Sequence, residues 1–538
     1  MNNPLLQKAS IVFSPTAYGT GTLNSIKPVQ SFGSELVTNG TFDTDSNWTK
    51  NNATISGGKA NFDNVGGAYA KLQQSITYVT GRKYRLTAVV NGTNGKAMRF
   101  RDDTGNSGGL TSSNGNLTMT GSDQLVTFEW TANANSDEIA IERHTTSGDY
   151  TFTVDNVSIK EIIDADFDFE RNTTATRVNE SELIETIVAN TPRINYTSSV
   201  GCVLLEPSRT NSITYSNDFT QWTNSNSTDT ANATISPEGI SNATNFAENT
   251  SNAQHKLSIS ATFDGSSTYT FSVFVKSNGR DVYLDVGNNT RFGGRASFNL
   301  TTGVATSVMG TPSIENFGNG WFRCMVTGAS TSAGSTTLEL LTFNGSTNSY
   351  EGDGTSGVFV YGAQIEVGSS ATSLIHTSGS TVTRSADAPS GAGSSDLINS
   401  SEGVLYAEIG ALEDDLTFRV LSVSDGSNDN TVKFGYRSDS NRIYAEVRSG
   451  SSSQAFLSYD VSDITDFHKV AVKYKVNDFA LWVDGVERAT DTSGSVSIGL
   501  NTARFDNGGG ANDFYGKVKV LAVFKEALTD AELTTLTS

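Results

Sequence analysis

The chain has 538 residues, with 57 acidic and 37 basic side chains and a formal net charge of −20. Because domains usually hold roughly 100 to 200 residues, this length predicts several domains rather than one core. No stretch collects enough Lys and Arg to neutralise a row of phosphates, which argues against nucleic acid and anionic membranes as partners. Abundant Gly, scarce Pro and short Val, Ile, Tyr and Phe runs predict many short strands joined by tight turns.

The first segment, residues 1–34, has too few apolar residues for a core of its own. We expect it either to be disordered or to be an anchor that orders against a partner. Its start, "MNNPLLQKASIVFSP", lacks a cationic segment followed by an apolar core, which is the pattern of a secretory signal. No apolar run elsewhere is long enough to cross a bilayer, so we expect a soluble chain made in the cytosol.

Two blocks of similar layout follow, at residues 35–165 and 200–390. In "KYRLTAVVNG", alternate residues from Tyr84 to Val90 are apolar, and in "STYTFSVFVKSNG" those from Tyr269 to Val275 are apolar. Such alternation indicates a sheet with one buried face, and hence a β-sandwich.

The two blocks repeat their landmarks in the same order. Phe42 and Trp48 open the first block and Phe219 and Trp222 open the second, and "NATIS" follows in both. The two blocks share both these motifs and their order, which favours an internal duplication, although a five-residue identity in Asn- and Thr-rich sequence also arises by chance.

The remaining segments complete the domain organisation. Residues 166–199 are too long for a plain turn and predict an ordered connector of short strands, and residues 391–402 form a linker. In residues 403–538, "HKVAVKYKVNDFALWVDGVERA" predicts a hairpin, and Thr529 with Glu532 fits the capping box of a short helix. The predicted fold is therefore all-β: tandem antiparallel β-sandwich (jelly-roll) modules with one short C-terminal helix. The two cysteines, Cys202 and Cys324, have apolar neighbours, which favours buried free thiols over a disulfide.

Catalytic chemistry has one candidate cluster, the alternating acids Asp164, Asp166, Asp168 and Glu170 in "DADFDFE". Two carboxylates flanking a scissile bond are what a glycosidase needs. The apolar residues between them explain the same acids as the solvent side of an amphipathic strand, and that interpretation is favoured. The four histidines are scattered, so no metal cluster or Ser-His-Asp set is indicated. We expect a protein that is not an enzyme.

A calcium site is the only metal site that the sequence suggests. Asp43, Asp45 and Asn47 in "DTDSN" offer oxygen atoms at alternate positions, a spacing suited to Ca²⁺, and no other cofactor is expected. An Asx-rich turn gives the same pattern and is favoured. The segment "DGSNDN" at 425–430 is a weaker candidate of the same kind.

Glycan binding is the other candidate activity, since sugars stack on aromatic faces and bond to Asn, Asp and Gln. Trp48, Trp222 and Trp482 lie in or beside polar turns and are the candidate glycan-binding residues. Because Trp48 and Trp222 occupy repeated positions, a packing plug at the sandwich entrance explains them equally well. In "LLEPSRTN", Glu206 and Arg209 are close enough in sequence to pair across a turn.

Several motifs occur together in the chain: "IVFSPTAYGTGTLNSIKP", "TTATRVNESELIE", "NTPRINY", "LLEPSRTN" and "SLIHTSGSTVTRSAD". As a set they resemble bacteriophage virion proteins of the head-spike, head-fibre and tail-fibre type, whose modules are similar to carbohydrate-binding jelly rolls. Residues 403–538, through "FALWVDGVERA" and "GKVKVLAVFKEALTDAEL", are similar to concanavalin A-like or laminin-G-like jelly rolls.

The resemblance implies an exposed head or tail fibre or spike, assembled in the host cytoplasm and located at the virion surface. It implies that residues 1–34 contact other virion proteins of the capsid or tail and that the modules hold bacterial surface or mucin glycans. It also implies a homo-oligomer, a dimer or a trimer. Two alternatives stay open: a tail-associated polysaccharide depolymerase, and a purely structural decoration protein without a ligand.

Overall fold

A computed structural model describes residues 3–27, 31–65, 69–79, 82–102, 116–132, 136–144, 148–163, 165–197 and 200–538. The chain divides into two compact units, one formed by residues 28–164 and the other by residues 1–27 together with residues 165–538. Nearly all regular structure in the described ranges is antiparallel strand, so the all-β prediction is confirmed.

The strands are numbered along the chain. Two N-terminal strands, β1 (Ile11–Gly19) and β2 (Thr22–Lys27), belong to the unit that also contains residues 165–538. The unit of residues 28–164 contains β3 (Ser31–Glu35), β4 (Thr49–Asn51), β5 (Ala53–Ser56), β6 (Lys59–Asp63), β7 (Lys71–Thr77), β8 (Lys83–Gly92), β9 (Ala97–Asp102), β10 (Asn116–Thr118), β11 (Gln124–Thr131), β12 (Ser136–Arg143) and β13 (Thr151–Ile163). The connector and its continuation contain β14 (Phe167–Glu170), β15 (Ala175–Val178), β16 (Ile184–Ile187), β17 (Arg193–Thr197), β18 (Val200–Leu205) and β19 (Arg209–Asn211).

The second sandwich and the segment after it contain β20 (Thr223–Ser225), β21 (Ser227–Ile235), β22 (Ser241–Glu248), β23 (Asn252–Gln254), β24 (Lys256–Asp264), β25 (Thr268–Asn278), β26 (Asp281–Val286), β27 (Arg295–Asn299), β28 (Val304–Met309), β29 (Thr311–Asn316), β30 (Trp321–Ala329), β31 (Ala333–Phe343), β32 (Ser349–Glu351), β33 (Gly357–Val367), β34 (Val382–Arg384) and β35 (Ala388–Pro389). The C-terminal module contains β36 (Glu402–Ala411), β37 (Arg419–Ser424), β38 (Thr431–Tyr436), β39 (Arg442–Ser449), β40 (Ser452–Asp460), β41 (His468–Lys475), β42 (Phe479–Val483), β43 (Val486–Asp491), β44 (Thr502–Arg504) and β45 (Gly516–Phe524). Helical segments that the structure describes in full include 3-10 turns at Pro4–Lys8 and Phe219–Gln221 and the helix α1 (Asp530–Thr537).

The two sandwiches share one strand topology. In the first, one sheet has the order β10-β9-β12-β7-β4 and the other β11-β8-β13-β6-β5. In the second, the corresponding orders are β27-β26-β31-β24-β20 and β30-β25-β33-β22-β21, each with one additional edge strand, β28 and β29. Ten strands thus correspond one to one in both chain order and sheet order, which gives the predicted duplication structural support at the level of topology.

The same local contacts recur at matching places in the two sandwiches. Trp48 Nε1 donates to the carbonyl of Asn39 at 3.1 Å, and Trp222 Nε1 donates to the carbonyl of Tyr215 at 3.0 Å. The Phe42 and Trp48 rings lie 5.4 Å apart with an interplanar angle of 40°, and the Phe219 and Trp222 rings lie 5.0 Å apart with an angle of 35°. Each indole therefore closes one end of a core with its polar N–H satisfied by a nearby carbonyl.

The C-terminal module has two layers. Its larger sheet includes β1-β45-β36-β41-β42-β43, its smaller sheet has the order β40-β39-β38-β37-β44, and alternate residues of both face one core. The predicted hairpin is present, with Val470 paired to Val483 and the turn at Asn477, whose φ is 57°. Helix α1 covers the back of the larger sheet through Leu533 and Leu536, which are buried.

The N-terminal segment is part of this module. Strand β1 pairs with β45, the last strand of the chain, and β2 pairs with β1 and β14. Ile11, Phe13 and Leu23 are fully buried in the core of the C-terminal module. We expected residues 1–34 either to be disordered or to order against a partner. Residues 11–27 are ordered within the chain itself, because their few apolar side chains fill a core that other segments provide. Contact of residues 1–34 with other virion proteins stays a prediction.

A buried charge network joins the connector to the end of the second sandwich. Glu206 accepts hydrogen bonds from Arg193 at 2.7 Å and lies 2.8 Å from Arg384, while Asp387 pairs with Arg171 at 3.0 Å and also with Arg193. All five side chains are at most 4% exposed. We call these five side chains the buried ionic lock. Four of them lie in the motifs "NTPRINY", "LLEPSRTN" and "TVTRSAD", so those motifs encode most of the lock.

The expected pairing of Glu206 with Arg209 is wrong. The carboxylate of Glu206 points inward to Arg193 and Arg384, because a buried carboxylate needs cationic partners and fixed donors. Arg209 instead donates to the backbone carbonyl of Ser208 at 3.2 Å.

The predicted capping box of α1 is confirmed, because Thr529 and Glu532 bond reciprocally to each other's backbone N–H. Hydrogen bonds from Lys8 and from Thr529 lower the pKa of Glu532 to about 2. Both cysteines are buried free thiols, as expected. None of the helices in the described ranges has the length and apolar character needed to cross a bilayer.

We expect Thr529→Ala to lower the free energy of unfolding of the C-terminal module by about 1 kcal/mol, since it removes the N-cap acceptor. Urea denaturation checks this value. Thr534→Ala, at an exposed position of the same helix, is the control and is expected to change stability by less than about 0.5 kcal/mol. Equal losses in the two variants would contradict a specific role of the cap.

Candidate functional site

The three tryptophans expected to stack on sugars are buried. Trp48, Trp222 and Trp482 are 7%, 3% and 5% exposed. Trp48 and Trp222 fill the ends of the two sandwich cores, and Trp482 lies in the cluster between the larger C-terminal sheet and α1. The expectation of open aromatic platforms at these positions is therefore corrected: each ring already has protein packed against it, and the packing role proposed as the alternative for Trp48 and Trp222 fits this placement.

The candidate calcium ligands are engaged in local contacts. Asp43 accepts a hydrogen bond from Thr41 at 2.6 Å, Asp45 pairs with Lys50, and Asn47 accepts from Ser46 at 2.8 Å. Asn47 has a φ of 68°, as a polar turn residue often does. Across the residues that the structure describes, no group of three or more His, Cys, Asp or Glu side chains could hold a metal ion. This geometry favours the Asx-rich turn, and calcium binding at 43–47 stays a prediction.

Two of the acids of "DADFDFE", Asp168 and Glu170, lie on an amphipathic strand, in agreement with the favoured interpretation. Phe167 and Phe169 are buried in β14, whereas Asp168 and Glu170 are exposed. Asp166 accepts a hydrogen bond from the backbone N–H of Ser25 at 2.6 Å, and Asp164 lies outside the described residues.

The outer side of the smaller C-terminal sheet carries an aromatic and cationic surface that the tryptophan-based prediction missed. Its centre is the guanidinium of Arg437, which lies 5.0 Å from the ring of Phe456 and 5.7 Å from the rings of Phe418 and Tyr444. Phe456 and Phe418 are 47% and 36% exposed, whereas Tyr444 is buried beneath them. We call this surface the Arg437 face; it comprises Phe418, Lys433, Arg437, Tyr444, Glu446, Arg448 and Phe456.

The strands of the sheet bring these side chains together across the chain. Tyr444 on β39 is paired with Gly435 on β38 and with Ser458 on β40, and Phe456 on β40 is paired with Glu446. Gly435 has no space for a side chain, since a Cβ there would lie 2.0 Å from the carbonyl oxygen of Arg419. The missing side chain leaves the Tyr444 ring without an obstructing neighbour on that strand.

Charged groups continue the face beside the aromatic rings. Lys433 lies 3.0 Å from Glu446 and donates to Asn428 at 2.7 Å, and Arg448 donates to Glu446 at 3.1 Å. Burial raises the pKa of the Glu446 carboxyl, but the charge and hydrogen bond of Lys433 outweigh it and hold the pKa below its ordinary value. Glu446 is therefore an ionised acceptor held in place by two cations.

The loop at 425–430 borders this face. Asp425 accepts hydrogen bonds from Ser427 N and Oγ and from Asn430 Nδ2, at distances of 2.6 to 2.9 Å. Asn428 is tied to the face through Lys433 and, by its backbone carbonyl, through Arg448 at 2.9 Å. Amide and carboxylate groups thus flank an open ring surface, the combination that sugars require.

Sequence reasoning missed the face because its members are spread over residues 418–456 and only strand pairing joins them. One usable signal was present: Phe456 and Tyr444 alternate out of phase with the apolar core residues of their strands, so each was predictable as an outward-facing aromatic residue.

Comparisons with known proteins bear on the fold of the C-terminal module. Residues 405–534 match the family described as the Concanavalin A-like lectin/glucanases superfamily. No curated protein sequence matches the chain. Solved structures are also similar to parts of the chain, and three of them, each with a low TM-score, are described next.

The first, titled "CBM4 structure and function", has 16% sequence identity and a TM-score of 0.20, and the match covers 23% of this chain and 98% of that one. The second, an N-terminal CBM22-1–CBM22-2 tandem domain from Paenibacillus barcinonensis Xyn10C, has 12% identity and a TM-score of 0.23, covering 62% and 98%. The third, domains LG4-5 of the mouse laminin alpha1 chain, has 12% identity and a TM-score of 0.18, covering 52% and 90%.

Proposed function

We propose that the protein binds glycans through the Arg437 face and acts as a non-catalytic adhesive module. The observation that carries the proposal is the exposed pair Phe418 and Phe456 around a central guanidinium, flanked by Asn and Asp side chains, on a module that matches a family of lectins and glucanases. The C–H faces of sugars stack on such rings, and the neighbouring polar groups form hydrogen bonds with the sugar hydroxyls.

A binding role is favoured over hydrolysis by the state of the acidic group on the face. Glu446 is held between Lys433 and Arg448 and has a lowered pKa, which suits a hydrogen-bond acceptor and not a proton-donating acid. A glycosidase also needs a second carboxylate opposite the first. A flat reducing-sugar assay on host capsule is the expected result, and release of reducing ends would favour a depolymerase.

The biological setting that we propose is an exposed fibre or spike of a bacteriophage particle, on the head or the tail, carried at the virion surface. The motifs quoted above support it, and in this setting the glycans are those of the bacterial surface or of mucin. We also propose contacts with other virion proteins and a dimeric or trimeric fibre. Immunogold labelling of phage particles with an antibody to this chain tests the setting: failure to label intact particles would remove it, whether or not the chain binds glycans.

We expect Phe456→Ala to weaken glycan binding about tenfold or more, since it removes the most exposed ring of the face. The measurement is a glycan array with the full chain, followed by titration calorimetry with the glycan that binds best. Phe32→Ala is a matched control, because Phe32 is 41% exposed and lies 4.6 Å from the guanidinium of Arg85 in the other unit. Unchanged binding in Phe456→Ala, or equal loss in both variants, would contradict this assignment.

A further inference from the structure

A cavity of about 370 Å³ lies between the second sandwich and the connector. Outward side chains of β25, β29 and β30 form its floor, and the β15–β16 hairpin with residues 369–374 forms its cover. Lys517 of the C-terminal module lies at one side. The cavity is thus lined by three parts of the same compact unit and shares no lining residue with the Arg437 face.

The charge at the floor of the cavity is Arg323, which is 6% exposed. Its Nη2 donates to Ser272 Oγ at 3.1 Å and to the carbonyl of Thr372 at 2.7 Å, and its guanidinium lies 5.2 Å from the ring of Phe274. Its Nε is buried without an acceptor, and within the described part of the chain no carboxylate forms an ion pair with it. Glu315, which faces Arg323 across the β29–β30 strand pair, is the main opposing charge near it, but Glu315 is exposed and forms no ion pair with Arg323. A buried cation without a direct ion pair is costly, so this position favours an anion.

Two further carboxylates near Arg323 are engaged in other contacts. Glu206 is shared by Arg193 and Arg384, and Glu366 accepts hydrogen bonds from Gln364 and Thr372. Burial is the main reason that the pKa of Glu366 is raised, which weakens its hold on a neighbouring cation. Among the described residues, Arg323 therefore has no carboxylate in direct contact, although Glu315 opposes its charge from the neighbouring strand.

A second cation faces the same space. Lys517 lines the cavity and, like Arg323, forms no ion pair with a carboxylate among the described residues. Glu315, beside Arg323 on the neighbouring strand, and Ser313 also line the cavity and are exposed, and Phe317 adds an apolar wall. Two cations, two hydroxyl-bonding groups and one ring thus meet in a single cavity of a strongly acidic protein.

We propose that this cavity binds a sugar acid of the hexuronate class, with its carboxylate held by Arg323 and Lys517. Glu315 and Ser313 accept and donate hydrogen bonds to the sugar hydroxyls, and the ring carbons lie against Phe317. The volume lies at the lower end of the range for ligand sites, about 300 to 1,000 Å³, and suits one sugar ring. An inorganic anion would leave the apolar wall and the acceptor groups without partners.

The test is titration calorimetry of the full chain with sodium glucuronate, glucose and inorganic phosphate. We expect glucuronate to bind and to raise the melting temperature, glucose to bind at least about tenfold more weakly, and phosphate to bind more weakly than glucuronate. Absence of glucuronate binding, or phosphate binding as tight as glucuronate binding, would overturn the proposal.

Two variants locate the site. Arg323→Met and Lys517→Met are each expected to weaken glucuronate binding about tenfold or more. Lys517 is only partly buried, so Lys517→Met keeps the test decisive even if Arg323→Met does not fold, which circular dichroism shows. Arg437→Ala, which changes the other face, is expected to leave glucuronate binding at this cavity unaltered. Unchanged affinity in the folded Lys517→Met variant would refute the assignment.

Discussion

Deletion of residues 1–27 is expected to unfold the C-terminal module in most molecules. Ile11, Val12, Phe13 and Leu23 are each at most 1% exposed, and three of them lie in the core of that module. Fully burying such a side chain contributes about 1.5 to 3 kcal/mol, so four contribute roughly 6 to 12 kcal/mol. A domain has a total stability of about 5 to 15 kcal/mol, so the loss is comparable with the whole.

Thermal melts of the full chain and the deletion variant, followed by circular dichroism and tryptophan fluorescence, measure this effect. Phe13→Ala is the single-residue form of the test and is expected to cost about 3 to 5 kcal/mol, because the surrounding core collapses only partly around the cavity. Tyr18→Ala, on the same strand at 38% exposure, is the control and is expected to cost much less. A deletion variant that melts like the full chain would show that β1 and β2 are dispensable. The same reasoning predicts that residues 403–538 do not fold alone, so glycan-binding experiments need the full chain.

Breaking the buried ionic lock is expected to have the next largest effect. Glu206→Gln leaves Arg193 and Arg384 without their shared carboxylate while Asp387 still holds Arg193, and removal of one partner of a buried pair typically costs about 3 to 5 kcal/mol. Urea denaturation of the full chain, followed for the unit that contains residues 165–538, measures the loss of unfolding free energy. Asp460→Asn is the matched control, since its pair with Arg442 is largely exposed and such pairs contribute less than about 1 kcal/mol.

The same carboxylate makes stability depend on pH. Burial raises the pKa of Glu206, but Arg384, Arg193 and the hydrogen bonds from Ser373 outweigh it and hold the pKa far below its ordinary value. Because the folded-state pKa is lowered, its stabilising effect is present above the unfolded pKa of about 4.3 and is lost as the pH falls below it. We expect the stability difference between the parent chain and Glu206→Gln to shrink steadily below about pH 4. A difference independent of pH would contradict an ionised Glu206 in the folded state.

The two sandwiches share one strand topology but differ in the side chains outside their cores. Glu142 on β12 lies beside Arg99 on β9, with an ion pair between them, whereas the corresponding place in the second sandwich has Leu341 beside Tyr283. The core-facing residues of the same strands stay apolar in both copies. These positions lie outside the sandwich cores, so one copy holds a buried carboxylate with an arginine where the other holds buried apolar side chains.

Local architecture could be predicted from patterns in the amino-acid sequence alone. Alternation from Tyr84 to Val90 and from Tyr269 to Val275 predicted buried strand faces because a strand has a period of two, and Thr529 with Glu532 predicted a helix start because the capping box is a contact within four residues. The repeated order of the Phe and Trp pair and of "NATIS" in the two blocks predicted their shared topology, because such a repeat can be read along the chain without knowing any contact in space.

The tertiary structure decided everything that joins distant residues. Ile11 pairs with Val523, Arg193 meets Asp387, and Arg437 gathers Phe418 and Phe456, although nothing in the intervening sequence encodes those distances. The tryptophans illustrate the reason: a polar turn in sequence says where the chain bends, but whether an indole closes a core or faces solvent depends on which strands pack over it. Burial and charge pairing are sums over all neighbours in space, and most of those neighbours are remote in the chain.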